Sequence, residues 1–298
     1  MSEPRRQRLL AELLGLLGLE KLEENLFVGQ SQDLGFGAVF GGQVLGQGLS
    51  AASQTVPGDR RAHSLHAYFL RPGDVAKRIV YEVDCIRDGA SFTTRRVRAV
   101  QNGRAIFSME ASFQVQEPGF EHQCVAPTVP GPDGLATEWE ILQDMQEHIP
   151  VESRAQLLCE KPIEIRPVDA VHSFDASVKQ PLHYRWIRAA GRLPDDPWLH
   201  RCLLAYASDF YLLCVALHPH GCTFWEPEMQ MASLDHAVWF HREFRMDEWL
   251  LHAMESPSAS LGRGLSLGKI FTQDGQLVAT VAQEGLIRMR AGSERGLE

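Results

Sequence analysis

Asp209 stands in a strongly apolar run, between Tyr206-Ala207-Ser208 and Phe210-Tyr211-Leu212-Leu213-Cys214-Val215-Ala216-Leu217. A carboxylate there is costly to desolvate unless it has partners or a cavity. It reads either as a helix-surface Asp turned to solvent or as a general base whose pKa is adjusted by partial burial. Gln283 lies among small and apolar residues in Val278-Ala279-Thr280-Val281-Ala282-Gln283. Its amide can accept one hydrogen and donate another, which suits it to orient a water; otherwise it is an ordinary polar residue on an edge strand. Ser233, just before Leu234-Asp235-His236-Ala237-Val238-Trp239-Phe240-His241, offers a hydroxyl that could complete such a network or be a plain strand serine.

Other chemistries are poorly served. Gly264-Leu265-Ser266-Leu267-Gly268 matches a nucleophile elbow in letters, but a hairpin signal follows it instead of a helix. No histidine occurs after His252, so the order Ser, acid, His is impossible. The pairs His218/His220 and His236/His241 lack a zinc-binding pattern, and no metal is expected. Gly35, Gly37 and Gly41 only approximate a dinucleotide fingerprint, with no βαβ unit around them, and no cofactor is expected.

The chain has 298 residues, 44% hydrophobic and 22% charged, with a net charge of −9. That charge excludes bulk electrostatic attraction to nucleic acid or anionic membrane. The six cysteines are scattered without a framework, as befits buried thiols in a reducing compartment. Arg5, Arg6 and Arg8 before an apolar Leu9–Leu17 run imitate a signal peptide. Glu12 interrupts the run and no cleavage site follows, so an amphipathic helix packed on the body is expected. No stretch reads as approaching the ~20 apolar residues of a membrane span, and Glu294–Glu298 is not a peroxisomal signal. A cytoplasmic protein without membrane insertion is expected.

The elements that must hold these residues come in two similar sets. Ser64-Leu65-His66-Ala67 recurs at Ser233-Leu234-Asp235-His236, and Gln101-Asn102-Gly103 at Gln273-Asp274-Gly275, with offsets of 169 and 172 positions. Such near-constant spacing indicates an internal duplication. Each half carries an apolar helical run, Gly42–Leu49 and His200–Leu217, followed by alternating strands with Asn102-Gly103 or Asp274-Gly275 as hairpin signals. The fold class is therefore α+β, a helix wrapped by a curved antiparallel sheet, twice over. The boundaries fall at 1–116 for the first repeat, 117–160 for a linker that is Pro- and Gly-rich to Gly134 and partly helical over 135–160, and 161–298 for the second.

Taken together, several segments resemble the acyl-CoA thioesterase II family of double hotdog enzymes. They are Phe40-Gly41-Gly42-Gln43-Val44, His63 through Asp74, Tyr206-Ala207-Ser208-Asp209, Leu234 through His241, and Gln283-Glu284-Gly285. The resemblance runs from about Leu13 to Arg288. It implies hydrolysis of fatty acyl-CoA esters, medium to long across a broad range, by a water held by Asp209, Ser233 and Gln283. Many members carry Thr where Ser233 stands. The resemblance also implies an oxyanion donor near a helix N-terminus, here Gly41-Gly42. By the repeat offsets Gln43 stands near Asp209's counterpart and Ala111 near that of Gln283, so only the second repeat would supply the base. His63 and His66 are expected near the site, and Arg71, Arg95 and Arg96 are candidate contacts for coenzyme A phosphates. By analogy with other hotdog proteins the chain is expected to form a homodimer or homotetramer. Two other readings stay open: a hotdog dehydratase using His66, and a non-catalytic acyl-CoA-binding module.

Overall fold

The computed structural model describes residues 3–149, 151–169, 176–226 and 228–290. Glu294–Glu298, on which the reading about a peroxisomal signal rests, lies outside them. Helix α1 (Glu3–Leu17) repeats Leu10, Leu13, Leu16 and Leu17 on one face, and all four are buried. Its last carbonyls would otherwise be orphaned. Gln47 Nε2 donates to Leu16 O (2.6 Å) and Ser50 Oγ to Leu17 O (2.9 Å).

Two short strands follow, β1 (Glu20–Glu23) and β2 (Leu26–Gly29), then helix α2 (Gly41–Ser53). Strands β3 (Arg60–Phe69), β4 (Ile79–Asp88), β5 (Phe92–Gln101) and β6 (Arg104–Val115) complete the first half. The β5–β6 hairpin turns at Asn102 (φ 51°) and Gly103 (φ 71°), the paired left-handed residues of a type I′ turn. The second half holds β7 (Ile163–Pro167), β8 (Leu182–Ala189), helix α5 (Pro197–Ser208), β9 (Met229–Ser233), β10 (Asp235–Phe240), β11 (Leu250–Ser260), β12 (Arg263–Thr272) and β13 (Leu277–Met289). Here the turn at Asp274-Gly275 is longer. Residues 273–276 loop between β12 and β13, with Gly275 N–H donating to Thr272 O.

All strand pairs are antiparallel, and the thirteen strands form one sheet in the order β1-β2-β4-β5-β6-β3-β10-β13-β12-β11-β8-β7, with β9 beside β13. The halves join at β3 and β10, where Leu65 faces Val238. On the inner side α2 and α5 lie antiparallel and very close. A β-carbon on Gly42 would stand 2.2 Å from Tyr206 O, and one on Gly46 3.0 Å from Cys202 O. Leu45 and Leu49 of α2 are fully buried; truncating either to Ala should cost about 2–5 kcal/mol.

Four expectations need correction. The apolar run His200–Leu217 is not one helix: α5 stops at Ser208, Asp209 caps it, and Tyr211 takes φ 58° before a 3₁₀ segment (Leu213–His220). Gln43 is not placed like Asp209. It sits in the first turn of α2, bonded to Gln30 O and Gln47, whereas Asp209 ends α5. The repeat offset holds for strands and fails for helices because the connection from helix to strand is longer in the second half. Residues 117–160 are helical within 135–160 as expected, but the Pro- and Gly-rich stretch before them packs on the body as well as linking. They carry α3 (Glu138–Asp144) and α4 (Arg154–Leu157), and Ala126, Val129 and Leu135 pack against Trp186, Leu251 and Phe271. Finally, Pro197–His220 is long and apolar enough to cross a membrane by composition, yet 72% of its most apolar window is buried as core.

Candidate active site

Asp209 is brought to its place by the end of α5. Its carboxylate leaves the helix where the chain must turn, and its Oδ1 accepts from Gln283 Nε2 at 2.6 Å. The same Nε2 donates to Ser233 Oγ at 3.0 Å. Gln283 and Ser233 meet because Gly285 of β13 pairs with Ser233 of β9, which sets Gln283 diagonally across on the same inward face. The chain breaks its pairing at Leu234, whose N–H donates to Glu284 O and whose carbonyl accepts from Phe69 N–H. Ser233 therefore sits at the kink between β9 and β10.

From the other half, the N-terminus of α2 points at the same carboxylate. The backbone N–H of Gly42 favours the ionised form of Asp209, and a β-carbon on Gly41 would lie 2.7 Å from Asp209 Oδ2. The first turn of a helix presents free N–H groups and the positive end of its dipole, both of which favour an anion. Burial still dominates: it pushes the Asp209 carboxyl up to about 6, opposed by Gln283, Gly42 and the Arg185 charge. A carboxylate so tuned can take a proton near neutral pH.

These groups stand on the wall of a cavity of about 640 Å³ lined by Gly41, Arg71, Asp209, Ser233 and Gln283 together with Phe40, Val44, Phe69, Ile106, Phe107 and Leu213. That is the size and character of a ligand site, with an apolar body and a few convergent polar groups. Gln283 Oε1 is buried and has no hydrogen-bond partner among the described residues.

Of the residues expected near the site, the structure gathers Asp209, Ser233, Gln283, Gly41, Gly42 and Arg71. The others lie elsewhere. His66 is exposed on the outer face of the sheet against Trp239, and His63 Nε2 bonds Ser112 Oγ at 2.8 Å. Arg95 and Arg96 cannot act together, since alternation sends neighbours on a strand to opposite faces. Arg95 is buried and bonds Thr55 and Asp88; Arg96 is outside with Glu110. Arg71 alone borders the cavity, with Nη1 donating to Ala105 O at 2.6 Å.

Ser266 lies within β12, buried and paired in register with Gln283, not at a strand-to-helix turn. The glycines around it have packing reasons: a β-carbon on Gly268 would meet His252 Nε2 at 2.4 Å, and one on Gly264 would meet Ala216 at 2.6 Å. Among the described residues no group of three or more His, Cys, Asp or Glu could hold a metal ion.

His236 is a neighbour that sequence reasoning considered only as a metal ligand. Its Nδ1 stands 3.8 Å from Asp209 Oδ1 and its Nε2 bonds Ser208 Oγ at 2.9 Å. Burial lowers its pKa to about 3, so it is neutral behind the carboxylate and not among the residues lining the cavity. The inward alternation of His236, Val238 and Phe240 along β10 was the available signal.

Comparison with known proteins finds relatives over nearly the whole chain. Residues 153–286 match the family described as acyl-CoA thioesterase, and residues 30–114 match the acyl-CoA thioesterase N-terminal domain. The chain is 46% identical to acyl-CoA thioesterase 2 of Haemophilus influenzae, over 94% of this chain and 98% of that one. It superposes on the crystal structure of the acyl-CoA thioesterase II TesB2 from Mycobacterium marinum with a TM-score of 0.78 and 43% identity, covering 94% of this chain and 100% of that one. A hot dog fold protein of unknown function from Alicyclobacillus acidocaldarius aligns with a TM-score of 0.74 at 19% identity, covering 94% of this chain and 99% of that one, a likeness of fold alone.

Proposed function

The chain belongs to the acyl-CoA thioesterase family, and we propose that it hydrolyses medium- to long-chain fatty acyl-CoA esters with Asp209 as general base. The observation that carries this reading is the bonded set Asp209–Gln283–Ser233 on the wall of a largely apolar cavity. Asp209 takes a proton from a water oriented by Gln283 and Ser233. The oxygen of that water attacks the thioester carbonyl, and the tetrahedral intermediate collapses with departure of the coenzyme A thiolate. The proton held on Asp209 is then available to the thiolate or to solvent. A thiolate is a good leaving group, so no acyl-enzyme is required. No cofactor enters the scheme.

The developing oxyanion needs donors. Gly42 N–H is turned to Asp209, which leaves Gly41 N–H at the start of α2 as the candidate that borders the cavity. Such a donor contributes about 3–4 kcal/mol to the transition state. The aromatic and aliphatic lining supports an acyl chain as the bound group, and Arg71 at the border supports an anionic head group.

A thiol-release assay across acyl-CoA esters of increasing length, on wild type and Asp209→Asn, tests the reading. We expect hydrolysis favouring medium and long chains and a loss on the order of 10²–10⁴ in the variant. Rates within twofold of wild type would remove Asp209 as base. A dehydratase would alter the acyl chain without freeing thiol, and a binding module would do neither.

We further read the working unit as a homodimer or homotetramer in the cytoplasm. The exposed Tyr68 and Trp239 on the central strands support the first, and Cys85, Cys124, Cys159, Cys202 and Cys214, none of them in a disulfide, support a reducing compartment. Sedimentation velocity and fractionation check each.

A further inference from the structure

The three residues of the turn after α5 are each held by a different part of the chain. Asp209 is held by Gln283, Phe210 by its carbonyl, which accepts from Arg185 Nη2, and Tyr211 by its hydroxyl, which accepts from Lys161 Nζ at 2.6 Å. Tyr211 is a bulky residue at φ 58°, a conformation that costs on the order of 1–3 kcal/mol and persists only when its surroundings impose it. The turn that aims the carboxylate is therefore fixed from outside.

Arg185 is the unusual member. It lies mid-strand on β8, 1% exposed, and no carboxylate pairs with it among the described residues. Among the described residues its Nε and Nη1 have no hydrogen-bond partner, its Nη2 also approaches His252 Nδ1 at 3.4 Å, and its guanidinium carbon lies 5.6 Å from the Tyr211 ring centroid. A buried cation without a paired carboxylate is costly to desolvate, so its retention here asks for a reason. The groups facing it are His183 on its own strand, His252 on β11, Tyr211 in the turn and Cys214 beyond it, Glu138 on α3, and Asp209. Burial keeps His183 and His252 neutral, and the thiol of Cys214 is pushed up to about 12. Glu138 is already paired with Lys161 at 2.6 Å. Glu138 interacts most strongly with this charge, and Asp209 more weakly, but Asp209 is the acid that stands at the cavity. Asp209 itself is faced otherwise by Gln283, Ser233, Gly42 and the neutral His236.

We propose that Arg185 is a positioning residue for the base: its bond to the Phe210 carbonyl fixes the Asp209–Tyr211 turn that aims the carboxylate, with the guanidinium buried behind that turn. The inference rests on the reading of Asp209 as the general base. Lysine could supply this only in part, because an ammonium is a shorter point charge without the planar fork.

The test is the pH profile of kcat/KM for Arg185→Gln, which loses the guanidinium behind the turn, beside Arg185→Lys, which keeps a cationic donor. In Arg185→Gln the acidic limb should move to higher pH by at least about 0.5 unit, with KM nearly unchanged. Arg185→Lys should return it toward the wild-type position. If the Gln variant does not fold, Arg185→Met carries the same expectation. A folded Gln or Met variant with an unmoved limb overturns the proposal, and so does failure of both to fold, which would make the role purely structural. The two readings fail separately. Full activity in Asp209→Asn rejects the base, whereas an inactive Asp209→Asn with an unmoved limb in Arg185→Gln rejects only Arg185.

Discussion

Gly41 leaves its α-carbon bare at a point where a β-carbon would stand 2.7 Å from Asp209 Oδ2 and 3.0 Å from the Phe69 ring. The first residue of the α2 helix and the residue that ends α5 thus meet across the two halves of the chain. The close antiparallel packing of these helices, set by Gly42 and Gly46, is what brings a helix N-terminus to a buried carboxylate. The proposed base comes from one repeat, and a helix N-terminus that favours its charge comes from the other.

Gly41→Ala follows directly. The added methyl must displace the carboxylate, and misplacing a reacting group by about 1 Å can cost on the order of 10²-fold in rate. We expect kcat to fall by about 10- to 100-fold with a smaller change in KM, because most of the apolar lining is untouched. Steady-state kinetics on one long-chain ester reads both. An unchanged kcat would mean that Asp209 does not need its present position.

The pH dependence of activity has its sign set by the same carboxylate. The Asp209 carboxyl is pushed up to about 6 by burial, so kcat/KM should rise through about pH 6 as the base ionises. His236, lowered to about 3, adds no limb in that range. A profile flat from pH 5 to 8 would contradict the assignment.

Stability should run the other way. A group whose folded pKa lies above its unfolded value of 3.8 stabilises fully below that value, and the contribution is lost as pH rises through about 6. The ionised, buried Asp209 therefore costs on the order of 3 kcal/mol at pH 7 relative to pH 4. Asp209→Asn removes this dependence. Comparing urea denaturation of the two proteins at pH 4 and pH 7 should show the wild type losing ground to the variant as pH rises. Parallel curves would show that Asp209 is not buried in its charged form.

Much of this arrangement was legible before any coordinates. Asn102-Gly103 announced its hairpin because both residues tolerate positive φ, and Asp209 stood out because an acid amid Leu, Tyr and Ala demands an explanation. Register was harder to read. Arg95 and Arg96 look alike in Thr94-Arg95-Arg96-Val97, yet the pleat buries one and exposes the other. Arg185 and Arg188 are equally alike in the sequence. Only the pairing of β8 with β11 and the path of the chain after α5 put one of them against Phe210 O. The duplication misled at Gln43 for a related reason. Strands keep their register by pairing, while the segment after α5 is free to lengthen, so a constant offset could not carry across both.

Arg71 borders the cavity with its side chain anchored at Ala105 O, leaving the rest of an exposed guanidinium to meet an anion. Arg71→Ala should raise KM for acyl-CoA several-fold and leave kcat nearly unchanged, since a head-group contact is made equally in ground and transition states. The effect should shrink as salt is raised, because exposed charges are screened within about 10 Å at 0.1 M. Equal KM values at low salt would take Arg71 out of the binding site.

Ser233→Ala tests the outermost member of the bonded set. Ser233 Oγ accepts from Gln283 Nε2 at 3.0 Å, while the same nitrogen reaches Asp209 at 2.6 Å. Removing the hydroxyl deletes one neutral hydrogen bond worth about 1 kcal/mol, or roughly a five-fold change in rate, and leaves the Gln283–Asp209 bond in place. Gln283→Ala removes both bonds at once and frees the carboxylate to rotate, so its loss should exceed that of Ser233→Ala by about tenfold or more. Ser233→Thr keeps the hydroxyl and adds one methyl at the kink between β9 and β10, and it should restore most of the rate. If alanine and threonine at 233 behave alike, the hydroxyl contributes nothing to the water, and the working set contracts to Asp209 and Gln283.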